Sequence, residues 1–124
     1  MNDFCPFCHP EDRPVVLRND LAVAFCDKYP VNPGHLLIVP QRHVASWFDA
    51  TPEEKRALDD LITRAKDLLD AEHHPDGYNL GINIGAAAGQ TIFHLHVHLI
   101  PRHAGDTPNP RGGVRGVIPG RQGY

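Results

Sequence analysis

Cysteine is scarce in this chain: three residues in 124, an odd and small number that makes a poor disulfide framework. No apolar run is long enough to cross a bilayer, and the N-terminus lacks the hydrophobic region of a secretory signal. A surplus of positive charge is missing too. Twelve Lys and Arg against fifteen Asp and Glu give a net charge of −3, which argues against broad nucleic-acid binding. No internal repeat is visible. What these absences leave is a cytoplasmic chain with no membrane and no nucleic-acid partner. Its 41% hydrophobic and 22% charged residues suit one domain that buries its core without staples.

Histidine, by contrast, is concentrated. Thr91-Ile92-Phe93-His94-Leu95-His96-Val97-His98-Leu99-Ile100 reads as a strand ended by Pro101, rich in β-branched and aromatic residues. Alternation puts His94, His96 and His98 on one face and Leu95, Val97 and Leu99 on the other. Imidazole titrates near neutrality and serves as base, nucleophile or metal ligand. The strand alone leaves three readings open: a nucleophile with helpers, a metal site, or a bland polar face.

Further strands are expected at Val15–Arg18, Leu21–Cys26, His35–Val39 and Tyr78–Ile84, with a short helical turn within Val44–Phe48. The clearest helix runs from Pro52 to about Glu72. Thr51 caps it, Pro52 takes the first position, Glu54 completes a capping box, and Leu58, Leu61, Ile62, Ala65, Leu68 and Leu69 form one apolar stripe. The order β-β-β-α-β-β with short links predicts an α+β fold, an antiparallel sheet of about five strands packed by one long helix. Gly85–Gln90 reads as a mobile loop. Beyond Pro101 the chain turns Gly-, Pro- and Arg-rich, loop by composition, with four Arg against one Asp from Arg102 onward. That basic tail suits a local anionic ligand or is a solvated end.

Cys5-Pro6-Phe7-Cys8 looks like half of a zinc site, in which two thiolates grip one tetrahedral ion. Redox chemistry is the other use of such a pair. Cys26, ending a strand, reads as a small buried residue.

Taken together, Gly89-Gln90-Thr91 followed by His94-x-His96-x-His98 resembles the signature of the histidine triad family of nucleotide hydrolases and transferases. The likeness extends backward through Asn83, Pro33-Gly34-His35, Asp27 and the CxxC pair, and covers about residues 4–105. It implies a catalytic domain over residues 1–105 and a separate tail over 106–124. The tail does not match the tryptophan-containing ending of the phosphoramidase branch. Asn83 stands where the fragile-histidine-triad branch has Gln, while Gln90-Thr91 and the stretch from Pro101 to Asp106 look like that branch.

The resemblance implies that His96 attacks the α-phosphorus of a purine nucleotide to form a nucleotidyl-histidine, with His98 and His35 assisting. Asp27 would bind the ribose, and Asn83, Gly89, Gln90 and Thr91 would hold phosphate oxygens or the leaving group. In zinc-bearing members the ligands correspond to Cys5, Cys8, His43 and His94, a closed and therefore structural set. For His35 and His43 to serve different clusters along one histidine strand, the chain after Pro40 must curl back. A homodimer is implied because the family pairs its sheets across a two-fold axis. The substrate candidates are a dinucleoside polyphosphate and a nucleoside phosphoramidate, and the non-enzyme alternative is a zinc-stabilised nucleotide-binding module. Arg111, Arg115 and Arg121 would then lie where a folded-back tail could meet distal phosphates.

Overall fold

Residues 5–124 are described by the computed structural model; the first four fall outside it. Five strands form one antiparallel sheet: β1 Val15–Arg18, β2 Ala22–Cys26, β3 Leu36–Pro40, β4 Gly77–Ile82 and β5 Val97–Arg102, in spatial order β1-β2-β3-β5-β4. A single α-helix, α1 Pro52–His73, lies between β3 and β4 in the chain. The predicted fold class and element order hold, and the predicted helical turn is a 3-10 turn at Trp47–Asp49.

β2 and β3 are buried along almost their whole length, because both faces of the sheet are covered. On one face Ala24, Leu36, Ile38, Val97 and Leu99 pack under Leu58, Leu61, Ala65 and Leu69 of α1, and half-buried Cys26 joins this layer. On the other face Val23, Phe25, Leu37 and Val39 pack with Phe7 from the N-terminal segment. The register aligns Val15, Phe25, Leu37, His98 and Gly81 side by side across all five strands. His98 therefore stands on the face away from α1, between Leu37 and Gly81.

The expected strand Thr91–Ile100 is corrected at both ends. Its ladder begins only at Val97, where β3 and β4 both find their last partner, Ile38 and Ile82. Upstream, Leu95 N–H donates instead to the Val44 carbonyl (2.6 Å), so the histidine-bearing half is tied by loops rather than strands. Downstream, β5 runs through Pro101 to Arg102, because β3 stops pairing at Leu99 and the missing N–H leaves no bond unmade on that side. β4 likewise ends at Ile82, before Asn83 and Ile84.

Gly34 shapes the turn into β3. Its φ is +90°, and a Cβ there would come within 2.9 Å of the His73 ring at the end of α1. The tail is not the loose segment its composition suggests. Residues Gly113–Val117 form a 3-10 turn, Gln122 Nε2 donates to the Asn109 carbonyl, and Arg111 and Arg115 both lie 4.8 Å from the Tyr124 ring. Arg102 anchors its root by donating to Asp106 and to Asn79 of β4.

At the start of α1 the capping box is complete: Thr51 Oγ1 accepts from Glu54 N–H (3.1 Å) and Glu54 Oε1 from Thr51 N–H (2.8 Å). Arg42 adds a two-pronged grip on the same carboxylate, at 2.9 and 2.8 Å. The Arg42 bonds foremost, then those from Thr51, lower the Glu54 carboxyl from 4.5 to about 2 despite its burial. A carboxylate depressed in the folded state stabilises the fold above its unfolded value and loses that contribution as pH falls toward the folded value. Glu54→Ala is thus expected to cost about 1–3 kcal/mol at neutral pH in chemical denaturation. The gap between variant and parent should narrow when the measurement is repeated below pH 4.5.

Candidate functional site

His96 and His98 are two residues apart on the face opposite α1, their rings 5.1 Å from centroid to centroid. His35, delivered by the Gly34 turn, brings its ring 5.2 Å from that of His98. Hydrogen-bond partners fix the tautomers of all three. Val31 N–H donates to His35 Nδ1 (3.0 Å), so the proton of neutral His35 sits on Nε2. His35 Nε2 faces His98 Nδ1 at 3.0 Å, with Asp27 Oδ2 at 3.4 Å. Donation to His98 Nδ1 leaves the His98 proton on its outer nitrogen, Nε2. His96 Nδ1–H donates to the His94 carbonyl (2.8 Å), which leaves the Nε2 lone pair unprotonated. Burial lowers His98 to about 4, helped by the neighbouring His96 and His35; burial also lowers His35, against the pull of Asp27. Both rings are therefore neutral at pH 7, as the hydrogen-bond chain requires.

Asp27 divides its carboxylate. Oδ1 accepts from Tyr29 N–H (2.9 Å) in a turn, while Oδ2 faces His35. Asn83, just past β4, lines the same cavity as His35 and His98. The 85–90 loop is tied rather than mobile: Gly85 and Gly89 take positive φ around a 3-10 turn at Ala86–Ala88. Gln90 lies 4% exposed beneath it. Its oxygen accepts from Gly85 N–H and its amide donates to the Ala45 and Ile92 carbonyls. The side chain expected to hold phosphate is thus turned inward and holds the loop in shape. Gly89 and Thr91 are exposed in that loop.

His94 belongs elsewhere. Its Nδ1 lies 3.6 Å from Cys5 Sγ and 3.4 Å from Cys8 Sγ, and His43 Nδ1 lies 3.2 Å from Cys8 Sγ. All four ligand atoms fall within 4.8 Å of one another. Zinc bonds of 2.0–2.3 Å in a tetrahedron separate ligand atoms by about 3.3–3.8 Å, so the residues present fit that ion. His94 Nε2–H donates to the Pro40 carbonyl (2.7 Å), which presents Nδ1 to the cluster. Burial and the adjacent Cys5 push the Cys8 thiol up to about 11, so a cation must displace its proton at neutral pH. The chain does curl back after Pro40, taking His43 to this cluster and leaving His35 at the other. The three strand histidines therefore do not share one ion.

Phe7 escaped the sequence reading. It packs 4.9 Å from the His96 ring and 5.4 Å from Phe25. Its place between the two cysteines was the available signal: an aromatic residue there is carried wherever the cysteines are held. On the Gly81 side of His98 lies a cavity of about 350 Å³, walled in part by Val114 and Val117 of the tail. The tail does fold back toward the histidines, but it presents valines there, while Arg111 and Arg115 lie against Tyr124.

Comparison with known proteins agrees with this architecture. The HIT domain model matches residues 10–105. An AP-4-A phosphorylase of Mycobacterium tuberculosis is 39% identical over 102 residues, which are 82% of this chain and 52% of that protein. An asymmetrical bis(5'-nucleosyl)-tetraphosphatase of Schizosaccharomyces pombe is 37% identical over 97 residues, 78% of this chain and 53% of its own. The chain thus spans about half the length of these two relatives. The crystal structure of a Zn-bound histidine triad family protein from Mycobacterium smegmatis superposes with a TM-score of 0.77 at 31% identity, covering 88% of this chain and 82% of that one. With its paired histidines on the face of a five-stranded sheet opposite its helix and a matched domain spanning most of its length, this chain belongs to the HIT domain family.

Proposed function

We propose that this chain is a nucleotide hydrolase or transferase that acts at the α-phosphate of a purine nucleotide, with His96 as the nucleophile. The observation that carries this reading is the bond from His96 Nδ1–H to the His94 carbonyl, which fixes the ring with Nε2 free. Nε2 attacks the α-phosphorus, and the bond from phosphorus to the leaving oxygen or nitrogen breaks. Water then forms a new P–O bond, releases a proton to solvent and displaces the histidine with its electron pair. Splitting one displacement into two lowers each barrier. His98 offers Nε2–H to the phosphate or leaving atom, and His35 holds it in that tautomer. Asp27 binds the ribose through Oδ2, Asn83 and the exposed residues Gly89 and Thr91 face the phosphate, and Gln90 positions that loop. Donors aimed at developing charge contribute about 3–4 kcal/mol each at most.

Cys5, Cys8, His43 and His94 would hold a structural zinc ion. Bound there, it fastens the N-terminal segment to the residue that orients His96, and a closed ligand set leaves no open position for substrate. The protein would act as a homodimer, pairing sheets through edges such as β4, where Leu80 is exposed. Among the described residues no helix is long and apolar enough to cross a membrane. The relatives that process dinucleoside polyphosphates lend this reading its substrate class.

His96→Ala is expected to abolish turnover of adenosine phosphoramidate and of diadenosine polyphosphate while AMP still binds. Retention of more than about a tenth of the parent rate, a barrier change below about 1.4 kcal/mol, would remove His96 as nucleophile. Binding without turnover by the parent protein would favour a nucleotide-binding module. Metal analysis of protein purified under reducing conditions should find about one zinc per chain. Chelation should lower the melting temperature before it lowers the rate of the remaining folded protein. Immediate loss of rate with the fold intact would mean that the ion takes part in the chemistry.

A further inference from the structure

Asp27, His35 and His98 bring three ligand atoms within 4.8 Å of one another. His35 Nε2 lies 3.0 Å from His98 Nδ1 and 3.4 Å from Asp27 Oδ2. Tetrahedral zinc with bonds of about 2.0–2.2 Å separates nitrogen and oxygen ligands by about 3.3–3.6 Å, so small shifts of these side chains admit the ion. Two imidazoles and one carboxylate make an open set, with a fourth position left for water. His35 and His98 both line the cavity of about 350 Å³, which gives an ion a way in. Among the described residues no Lys or Arg lines that cavity to repel it.

The surroundings of these ligands differ from those of the cysteine cluster in one respect. A histidine that binds metal through one nitrogen normally donates the N–H of the other to an oxygen. His94 conforms, its Nε2–H donating to the Pro40 carbonyl while Nδ1 faces the sulfurs. Asp27 is held as a ligand should be: Oδ1 accepts from Tyr29 N–H (2.9 Å), which leaves Oδ2 turned toward His35.

His35 has the opposite arrangement. Its Nδ1 meets a donor, the Val31 N–H at 3.0 Å, and its proton therefore stands on Nε2, the nitrogen a metal needs. The Val31 amide keeps its own proton, so zinc reaches Nε2 only when the ring proton moves to Nδ1. There it opposes the Val31 N–H, and a hydrogen bond becomes a contact between two donors. His98 needs no such change, because its Nδ1 lone pair already faces His35.

We infer that Asp27, His35 and His98 form a second zinc site, open and weaker than the cysteine cluster, and that the Val31 amide holds its affinity down. Binding moves one proton within His35, from Nε2 to Nδ1, and releases none. The ion takes the Asp27 oxygen and the His98 nitrogen that the proposed reaction uses, so zinc beyond one equivalent inhibits that reaction. The inhibition, unlike the site, rests on the nucleotide reading above.

Zinc per chain is measured by equilibrium dialysis of the zinc-loaded protein against buffered zinc. One equivalent should persist at low free zinc, and a second should enter as free zinc rises and be absent from His98→Asn. NMR of the imidazole nitrogens should show the His35 proton on Nε2 with one zinc bound and on Nδ1 once the second has entered. Replacing the Val31 amide by an ester, through the matching α-hydroxy acid, removes the N–H and keeps the side chain. That variant should bind the second zinc at least about tenfold more tightly. A second equivalent that survives in His98→Asn would belong to other histidines and overturn the site. No second equivalent in the parent at about 1 mM free zinc would overturn it as well. An ester variant within about threefold of the parent, or a His35 proton already on Nδ1 with one zinc bound, would overturn the part assigned to Val31. Should the ester variant not fold, the parent spectra decide that part by themselves.

Discussion

His94 commits both ring nitrogens and its backbone carbonyl in this fold. Its Nε2–H is bound to the Pro40 carbonyl, its Nδ1 points at two cysteine sulfurs, and its backbone carbonyl receives Nδ1–H of His96. The buried ring cannot turn without stranding a donor, which would cost about 1–3 kcal/mol. That one residue therefore couples the end of β3, the N-terminal cysteines and the orientation of the proposed nucleophile. The position of His96 depends less on the strand than on this anchor, because the ladder does not begin until Val97.

Burial on both faces is the second constraint. α1 covers one side of the sheet, and Phe7 with its neighbours covers part of the other, so the histidines face a surface already thick with apolar side chains. Low-dielectric surroundings keep His35 and His98 neutral and make their mutual hydrogen bond directional. The same dryness would strengthen any interaction with a phosphate held there. Chemistry and packing are consequently difficult to separate at this face: Phe7 is at once core and neighbour of His96.

Much of this was legible from residue types. Strand composition and the Thr51–Glu54 box placed β1 to β4 and α1 to within two residues, and the CxxC pair with His43 and His94 came together as the resemblance implied. What stayed hidden depended on partners distant in sequence. Thr91–His96 has the composition of a strand but no edge to pair with, so local propensity lost to topology. Gln90 carries an amide that suits phosphate, yet three nearer backbone groups take it. The tail's composition announced loop, and nothing local disclosed that Gln122 would close it over Gly112 and Gly116. Its arginines drew attention by charge, whereas its valines face the histidines.

The contact between Cys8 and His94 spans 86 residues. Chain synthesis delivers the cysteines first and their histidine partner near the end, so the cluster closes only after nearly all of the domain has been made. Closing a loop of that length costs about 4 kcal/mol in chain entropy before any contact is gained. Strands β1 to β3 and α1, linked by short connections, can assemble ahead of it. Maturation of the histidine face is thereby deferred: the segment bearing Phe7 has no His96 to cover until β5 has joined the sheet. A newly made chain would pair β1 to β3 before it acquires a correctly oriented His96.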